Sequence, residues 1–416
     1  MPTTSVKGLL SRLSHSGRDM WERQFGEKDQ TIEALCERLL TLRGESSAIL
    51  VADEIIERLK VQTDSENIAF FEYLLNDMQP NQEKLTEAIH AYLEDPNPHT
   101  ANLIAANADA RHMQLFRMLS TSPRGPQGLI NLRACLRTLL RENPHLQPVD
   151  RGMLHLFRSW FNRGFLEMRK IDWTTPAHIL EKLIQYEAVH EIQGWEDLRR
   201  RLESDRRCYA FFYPALKDEP LIFVEVALLE DMASNIQSVI NQDKTAEVIT
   251  PNTAIFYSIS NCQPGLAGVS FGNYLIKQVV KNLNAEVPEI KTFATLSPVP
   301  GFRKWLKEQP GRSKSDDNNA ATMTQLCAHY LINEKRGKLP FDPVARFHLG
   351  NGAKLARINW NGDMSEHGRN QSFGIMVNYV YDIAKVEKNH EALVNEGVIA
   401  TTSAIQKLAS AAKVDG

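Results

Sequence analysis

The chain has 416 residues, 43% of them hydrophobic and 24% charged, with a formal net charge of -3. That length exceeds one ordinary core and predicts two domains, while the composition describes a globular rather than a disordered protein. The near-neutral balance supplies no basic field, which argues against nucleic-acid binding. Cys36, Cys135, Cys208, Cys262 and Cys327 are scattered without a CxxC pair, so they outline neither a zinc site nor a disulfide framework, and a reducing compartment is expected. No apolar run reaches the ~18–20 residues of a membrane span.

Residues 1–18 carry Lys7, Arg12 and Arg18, several serines and no acid, a composition shared with transit peptides. Leu9, Leu10 and Leu13 share one helical face and acids begin at Asp19, so a first amphipathic helix is the preferred expectation. Ile32, Leu35, Leu39 and Leu42 then recur at helical spacing, as do Ala52, Ile55, Ile56 and Leu59, and next Ile68, Phe71, Leu75 and Met78. Breaks fall at Arg43-Gly44-Glu45-Ser46, Thr63-Asp64-Ser65 and Asp95-Pro96-Asn97-Pro98. No fixed-period repeat supports a solenoid. The first third therefore reads as a helical bundle that packs, orients or oligomerises something else.

The texture changes after about residue 160. Arg207–Tyr213 and Leu221–Leu228 read as two strands joined by Lys217-Asp218-Glu219-Pro220, a hairpin-type connection. A helix through Ile236 and Ile240 follows, then a strand over Ala254–Ser260, a glycine-bearing loop and a helix from about Asn273 to Leu283. A strand over Lys291–Leu296 ends at Ser297, and late strands are expected at Leu355–Trp360 and Gly374–Tyr379. Pro310–Asn319 is polar and turn-rich, an expected exposed loop, and Met323–Glu334 is an expected helix carrying Cys327 and His329. The pattern is α+β.

Four constellations bear on chemistry. The loop Gln263-Pro264-Gly265-Leu266-Ala267-Gly268-Val269-Ser270-Phe271-Gly272-Asn273 lies between strand and helix, where free backbone N–H groups and a helix start favour an anion. It lacks Gly-Lys-Ser/Thr, so it is not a P-loop, and its glycines alone equally fit a plain tight turn. Ser297 sits in Leu296-Ser297-Pro298-Val299-Pro300-Gly301-Phe302 without a GxSxG elbow, so it is either a turn former or a hydroxyl outside that hydrolase class. His348 lies in an apolar run closed by Asn351-Gly352; it is either a core residue or an imidazole exposed by a tight turn. Asn378-Tyr379-Val380-Tyr381 reads as an alternating strand with one aromatic in the core and one at the rim. Glu187-Ala188-Val189-His190-Glu191 is expected on a helix; it is not HExxH, and packing is its better reading.

Together these segments resemble the malonyl-CoA decarboxylase family. Phe256-Tyr257-Ser258-Ile259-Ser260 through Gly265-Leu266, Gly268-Val269 and Gly272-Asn273 look like its coenzyme A loop. Leu296-Ser297-Pro298 with Pro300-Gly301-Phe302 and Trp305-Leu306 looks like its serine segment, and Pro343–Ala353 like its histidine segment. Arg357-Ile358-Asn359-Trp360, Asp363, Ser365 and Asn378-Tyr379 with Tyr381 complete the likeness, which is strong over residues 155–385 and looser before. The resemblance implies a helical domain over residues 1–158 and a catalytic domain with the GNAT acetyltransferase fold over 159–416. It implies catalysis by Ser297, His348 and Tyr381. Substrate binding would fall on Ala267, Gly268, Val269, Ser270, Phe271, Gly272, Asn273 and Asn378, with no metal. One departure is Ser270, where many members carry an acid.

The expected reaction is decarboxylation of malonyl-CoA to acetyl-CoA and CO2, without an organic cofactor because the thioester is itself an electron sink. A homo-oligomer, dimer or tetramer, is expected from the resemblance. The chain ends Lys413-Val414-Asp415-Gly416 rather than Ser-Lys-Leu, and a cytoplasmic location is expected. Two rivals remain at this stage: an acyltransferase using coenzyme A, and a non-catalytic coenzyme A sensor.

Overall fold

The computed structural model describes residues 30–161, 163–240, 250–269, 274–309 and 319–412. The expected first amphipathic helix and the Pro310–Asn319 loop, apart from Asn319 itself, lie outside these residues. Two compact units emerge from the packing. One comprises the described chain up to Phe165 together with Tyr213–Lys217 and the segment from Gln263; the other comprises Leu166–Phe212, Asp218–Cys262 and the chain from Tyr274 onward. Among the described residues no helix is long and apolar enough to cross a membrane.

The first unit is helical: α1 (Ile32–Thr41), α2 (Glu45–Lys60), α3 (Asp64–Asn76), α4 (Gln82–Glu94), α5 (Pro98–Asn107), α6 (Arg111–Leu119), α7 (Gly125–Leu139) and α8 (Gln147–Trp160). Its helix ends follow local chemistry. Thr63 caps α3 through a capping box, with the Glu66 carboxylate accepting the Thr63 N–H at 2.8 Å. Asn97 caps α5, whose first residue is Pro98. Ala52, Ile55, Ile56 and Leu59 are buried as their spacing predicts. In α3 the buried residues are Asn67, Phe70, Phe71 and Leu74; of the expected set Phe71 and Met78 are buried, while Ile68 and Leu75 are half-buried. Asn67 is tolerated inside because its amide donates to the Thr63 carbonyl at 3.1 Å.

The second unit is built on a mixed sheet in the order β1-β2-β3-β4-β5-β10-β6, with β9 paired to β10. The strands are β1 (Glu167–Ile171), β2 (Arg206–Phe212), β3 (Pro220–Leu229), β4 (Thr253–Asn261), β5 (Thr292–Thr295), β6 (Ser297–Pro298), β9 (Lys354–Asn359) and β10 (Met376–Val380); β7 (Lys335–Arg336) and β8 (Leu339–Pro340) form a separate ribbon. β2 and β3 are the expected antiparallel pair, and β3 is buried along nearly its whole length, consistent with an apolar run interrupted only by Glu225. β4 and β5 are parallel, and α12 (Tyr274–Glu286) forms the crossover between them. The antiparallel run thus changes to one parallel pair around this crossover, in keeping with the α+β pattern expected from the sequence.

The remaining helices are α9 (Ala177–Tyr186), α10 (Trp195–Arg201), α11 (Ile236–Ile240), α13 (Phe302–Lys307), α14 (Ala320–Asn333), α15 (Pro343–Gly350), α16 (Glu366–Ser372), α17 (Val386–Glu396) and α18 (Ser403–Ala411). One expectation fails: Ala188–Glu191 is not helical, because α9 ends at Tyr186. The Glu187 carboxylate accepts the Val189 and His190 N–H groups at 2.7 and 2.8 Å, which turns the chain out of the helix.

Candidate active site

Ser297 and His348 meet through three elements of the sheet unit. β5 stops at Thr295, and after Leu296 the short β6 pairs with β10, setting Ser297 opposite Val377. Pro298 and Pro300 limit further strand pairing, since neither can donate a ladder hydrogen bond. His348 occupies the last turn of α15, whose N-terminus has strong local signals: Asp342 caps it by accepting from Val344 N and Ala345 N, each at 2.9 Å, and Pro343 is the first helical residue. The same carboxylate accepts the Gly301 N–H at 3.2 Å and the Tyr330 hydroxyl at 3.4 Å, tying the start of α15 to the segment after Ser297. Gly352 ends the helix at φ +80, and a Cβ there would lie 2.1 Å from the Val386 carbonyl oxygen.

Of the two readings of His348, the fold takes the core one: a turn forms at Asn351-Gly352 but does not expose the imidazole. Phe347–Gly350 is helical and His348 is only 4% exposed. Ser297 Oγ lies 3.1 Å from His348 Nε2, and His348 Nδ1 lies 2.8 Å from the Tyr381 hydroxyl. The Ser297 hydroxyl donates to Thr295 Oγ1 at 2.8 Å. The imidazole also stacks on the Tyr379 ring, with centroids 4.8 Å apart and planes at 24°. Burial brings the His348 pKa down to about 3, so the ring is neutral near pH 7 and carries a single N–H.

Those facts assign the hydrogens. Ser297 gives its one proton to Thr295, so it accepts from Nε2–H, and Nδ1 accepts the Tyr381 O–H. Burial also holds the Tyr381 phenol well above its usual range, so it stays protonated and able to donate. The group on Nδ1 is a neutral phenol, whereas a hydrolytic triad sets a carboxylate there to stabilise an imidazolium. The ring Tyr381 lies beyond the end of β10 and is buried, as is Tyr379, so neither aromatic sits at a rim.

Asn378 does not face a ligand. Its side chain is fully enclosed, and its amide nitrogen donates to the Ala233 and Thr295 carbonyls at 3.0 and 2.7 Å. Its amide oxygen accepts from Arg357 Nε at 2.9 Å and Asn359 Nδ2 at 2.8 Å. All four hydrogen-bond positions are used within the protein, so Asn378 braces β5, β9 and β10 instead.

The anion-type loop is described as far as Val269; Ser270, Phe271, Gly272 and Asn273 lie outside the described residues. Its first part is held within the helical unit. The Arg133 guanidinium, 1% exposed, donates to the Gly265 and Ala267 carbonyls at 2.6 and 2.8 Å and pairs with Asp150 at 2.8 Å. Arg158 donates to the Gly268 carbonyl at 3.2 Å. A Cβ on Gly265 would lie 1.9 Å from the Ile130 carbonyl oxygen, and Gly268 has φ +85, so both glycines are required by geometry.

Tyr381 lines a cavity of about 420 Å³ walled by Ile276, Val280, Ile383 and Val386, with Lys277, Lys281 and Asn284. A larger cavity, about 1220 Å³, is lined by Glu187, His190, Asp197, Arg201 and Asp363 but by none of Ser297, His348 and Tyr381. Among the described residues no group of three or more His, Cys, Asp or Glu is placed to hold a metal ion. Sequence reading missed Thr295 and the Tyr379 stacking face. Alternation in Phe293-Ala294-Thr295-Leu296 marks Thr295 as sharing a face with Ser297, and no signal singled it out further.

A helical unit and a mixed-sheet unit carrying a buried hydroxyl–imidazole–phenol chain define a two-unit α+β protein. Family comparison makes the assignment particular. The family model for the malonyl-CoA decarboxylase C-terminal domain matches residues 164–320 and 312–415, and that for the N-terminal domain matches residues 78–161. The chain belongs to the malonyl-CoA decarboxylase family. It is 37% identical to the mitochondrial malonyl-CoA decarboxylase of Anser anser anser over 334 residues, covering 68% of this chain and 66% of that protein. To the Mus musculus protein it is 35% identical over 67% of each. The crystal structures of malonyl-CoA decarboxylase from Rhodopseudomonas palustris and Agrobacterium vitis are 43% and 45% identical, with TM-scores of 0.85 and 0.84. They cover 90% and 91% of this chain and 98% and 99% of their own.

Proposed function

We propose that the chain decarboxylates malonyl-CoA to acetyl-CoA and CO2, using Ser297, His348 and Tyr381 without a metal or organic cofactor. The observation that carries this reading is the neutral hydrogen-bonded chain from Tyr381 through His348 to Ser297, in a protein of this family. Loss of CO2 sends the C–C bonding pair into the thioester, giving an enolate, and one proton must then reach carbon. The thioester supplies the electron sink, so the protein has to hold the carboxylate out of the thioester plane, stabilise the enolate oxygen and deliver the proton.

In this scheme the Ser297 hydroxyl turns from Thr295 to orient the malonyl carboxylate. That negative charge beside the imidazole raises its pKa from the low free-site value, so the proton is taken up with the substrate. His348 Nε2 is the proton source, a role typically worth ~10²–10⁴ in rate. The added proton sits on Nδ1, which then donates to the Tyr381 oxygen in place of accepting from it. Backbone N–H groups of the Ala267–Asn273 loop would take the coenzyme A pyrophosphate at the start of α12. The test is purified protein with malonyl-CoA, following CO2 and acetyl-CoA, with Ser297→Ala in parallel. Near-normal turnover by Ser297→Ala would remove the serine from the scheme, and an acylated amine or alcohol as main product would replace decarboxylation by acyl transfer.

The same proposal includes self-association through the helical unit. Ile89, Tyr92 and Leu93 on α4 and Leu103 on α5 leave large apolar side chains exposed, which supports it. Light scattering on wild type and Leu93→Glu is the check: dissociation by the charge is expected, and a monomeric wild type would end the idea.

A further inference from the structure

β5 ends in a side chain for which the reaction scheme has no role. Thr295 is fully enclosed, two residues before Ser297. Its Oγ1 accepts the Ser297 hydroxyl at 2.8 Å and the Tyr379 backbone N–H at 3.2 Å, and its carbonyl accepts from Asn378 Nδ2 at 2.7 Å. Both anchors come from β10, and Tyr379 is also the ring under the imidazole. Thr295 is therefore an acceptor fixed in place by the same strand that sets the His348 ring.

The direction of one proton separates two kinds of Ser–His pair. With the serine proton on Thr295, the neutral imidazole must present Nε2–H to Ser297, and the pair donates protons. With the serine proton on Nε2, the imidazole is an acceptor, the hydrogen moves to Nδ1 and the pair becomes a nucleophile with its general base. We propose that Thr295 is a positioning residue that fixes the first direction, keeping the hydrogen on His348 Nε2 and holding Ser297 out of nucleophilic use. The consequence for turnover rests on the decarboxylase reading; the premise rests on the hydrogen-bond geometry and the burial of the ring.

The substitution Thr295→Val in the full chain keeps the shape and removes the acceptor. Two quantities are measured: kcat and KM for malonyl-CoA decarboxylation, and the rate at which a fluorophosphonate labels Ser297, read by peptide mass. In labelling, the serine oxygen bonds phosphorus, the P–F bond breaks with loss of fluoride, and the serine proton passes to His348 Nε2. We expect kcat to fall at least ~10-fold with little change in KM, while labelling accelerates at least ~10-fold because the serine is now base-activated. Thr295→Ser, which restores the acceptor, should return both values toward wild type.

Unchanged kcat in Thr295→Val overturns the proposal. So does a fall in kcat with labelling unchanged or slower, since Thr295 would then only support the fold. If Thr295→Val does not fold, judged by circular dichroism, Thr295→Cys offers a thiol that accepts hydrogen bonds weakly and carries the same two readings. Labelling needs no malonyl-CoA. A wild type inactive on malonyl-CoA, with the labelling gain still present in the variant, would overturn the decarboxylase reading and leave the relay standing.

Discussion

The sheet unit holds two buried polar clusters of opposite character. One is built around a buried cation: Arg201 lies 2.9 Å from Glu225, whose carboxyl pKa is pushed up to about 8 by burial, lies 3.0 Å from Asp197, and donates to the Glu191 carbonyl at 3.2 Å. Beside it the Glu187 carboxylate accepts from the Ser258 and Ser260 hydroxyls at 2.7 and 3.2 Å. The other cluster is neutral: Thr295, Ser297, His348 and Tyr381 exchange hydrogens without a formal charge among them. A buried charge costs so much without partners that its hydrogen bonds are committed once the fold is made. Neutral hydroxyls and an imidazole can each donate or accept, so a single fixed neighbour sets their direction. The charged cluster is therefore read as structure, and the neutral one as chemistry.

Substitutions in each cluster should break differently. His348→Gln removes the proton source, and kcat should fall ~10²–10⁴-fold with the fold intact by circular dichroism; activity within a factor of a few of wild type would undo the separation. Arg201→Met leaves Asp197 and Glu225 without their partner, and denaturant unfolding should show a loss of ~3–5 kcal/mol. The kcat of the fraction that remains folded should stay near wild type, so a selective loss of kcat would move Arg201 into the chemistry. Tyr381→Phe keeps the ring but removes the donor to His348 Nδ1, for which a fall of about tenfold in kcat with stable folding is expected. A Tyr381→Phe enzyme with unaltered kcat would reduce Tyr381 to packing.

The smallest effect concerns pH. The His348 pKa is about 3 in the folded protein, against ~6.5 for a free histidine. Between those values the unfolded chain binds a proton that the folded chain does not, so stability rises with pH and falls as pH drops below about 6.5. His348→Gln lacks this contribution, so its Tm relative to wild type should improve on going from pH 7 to pH 5. A Tm difference that stays constant across that range would mean the imidazole is not held neutral.

Much of the fold was legible because its signals are local. The Ala52–Leu59 stripe, the Thr63 capping box and the largely apolar run of β3 each follow from spacing or residue type. In α3 Phe71 and Met78 are buried as their spacing indicates, but Asn67, satisfied by the Thr63 carbonyl, takes an inward position that hydrophobicity alone would not give it. Ala188–Glu191 misled because a single carboxylate captures two backbone N–H groups and ends the helical pattern. At the site, motif resemblance located Ser297, His348 and Tyr381, yet nothing local distinguishes a helical His348 from one in a turn. Thr295 and the enclosure of Asn378 depend on strand pairing between residues more than eighty positions apart, which no local window contains.

The anchoring of Gly265 and Ala267 by Arg133 bears on modularity. The helical unit is not a cassette joined at one seam: the chain returns to it at Tyr213–Lys217 and again from Gln263. Cutting before Leu166 would strip the segment from Gln263 of the side chains that shape its backbone. Exchange of the bundle during divergence would thus have to carry Arg133, Asp150 and the close seat at Ile130 along with it. The bundle and the segment from Gln263 are therefore one packing unit, assembled from pieces far apart in the chain.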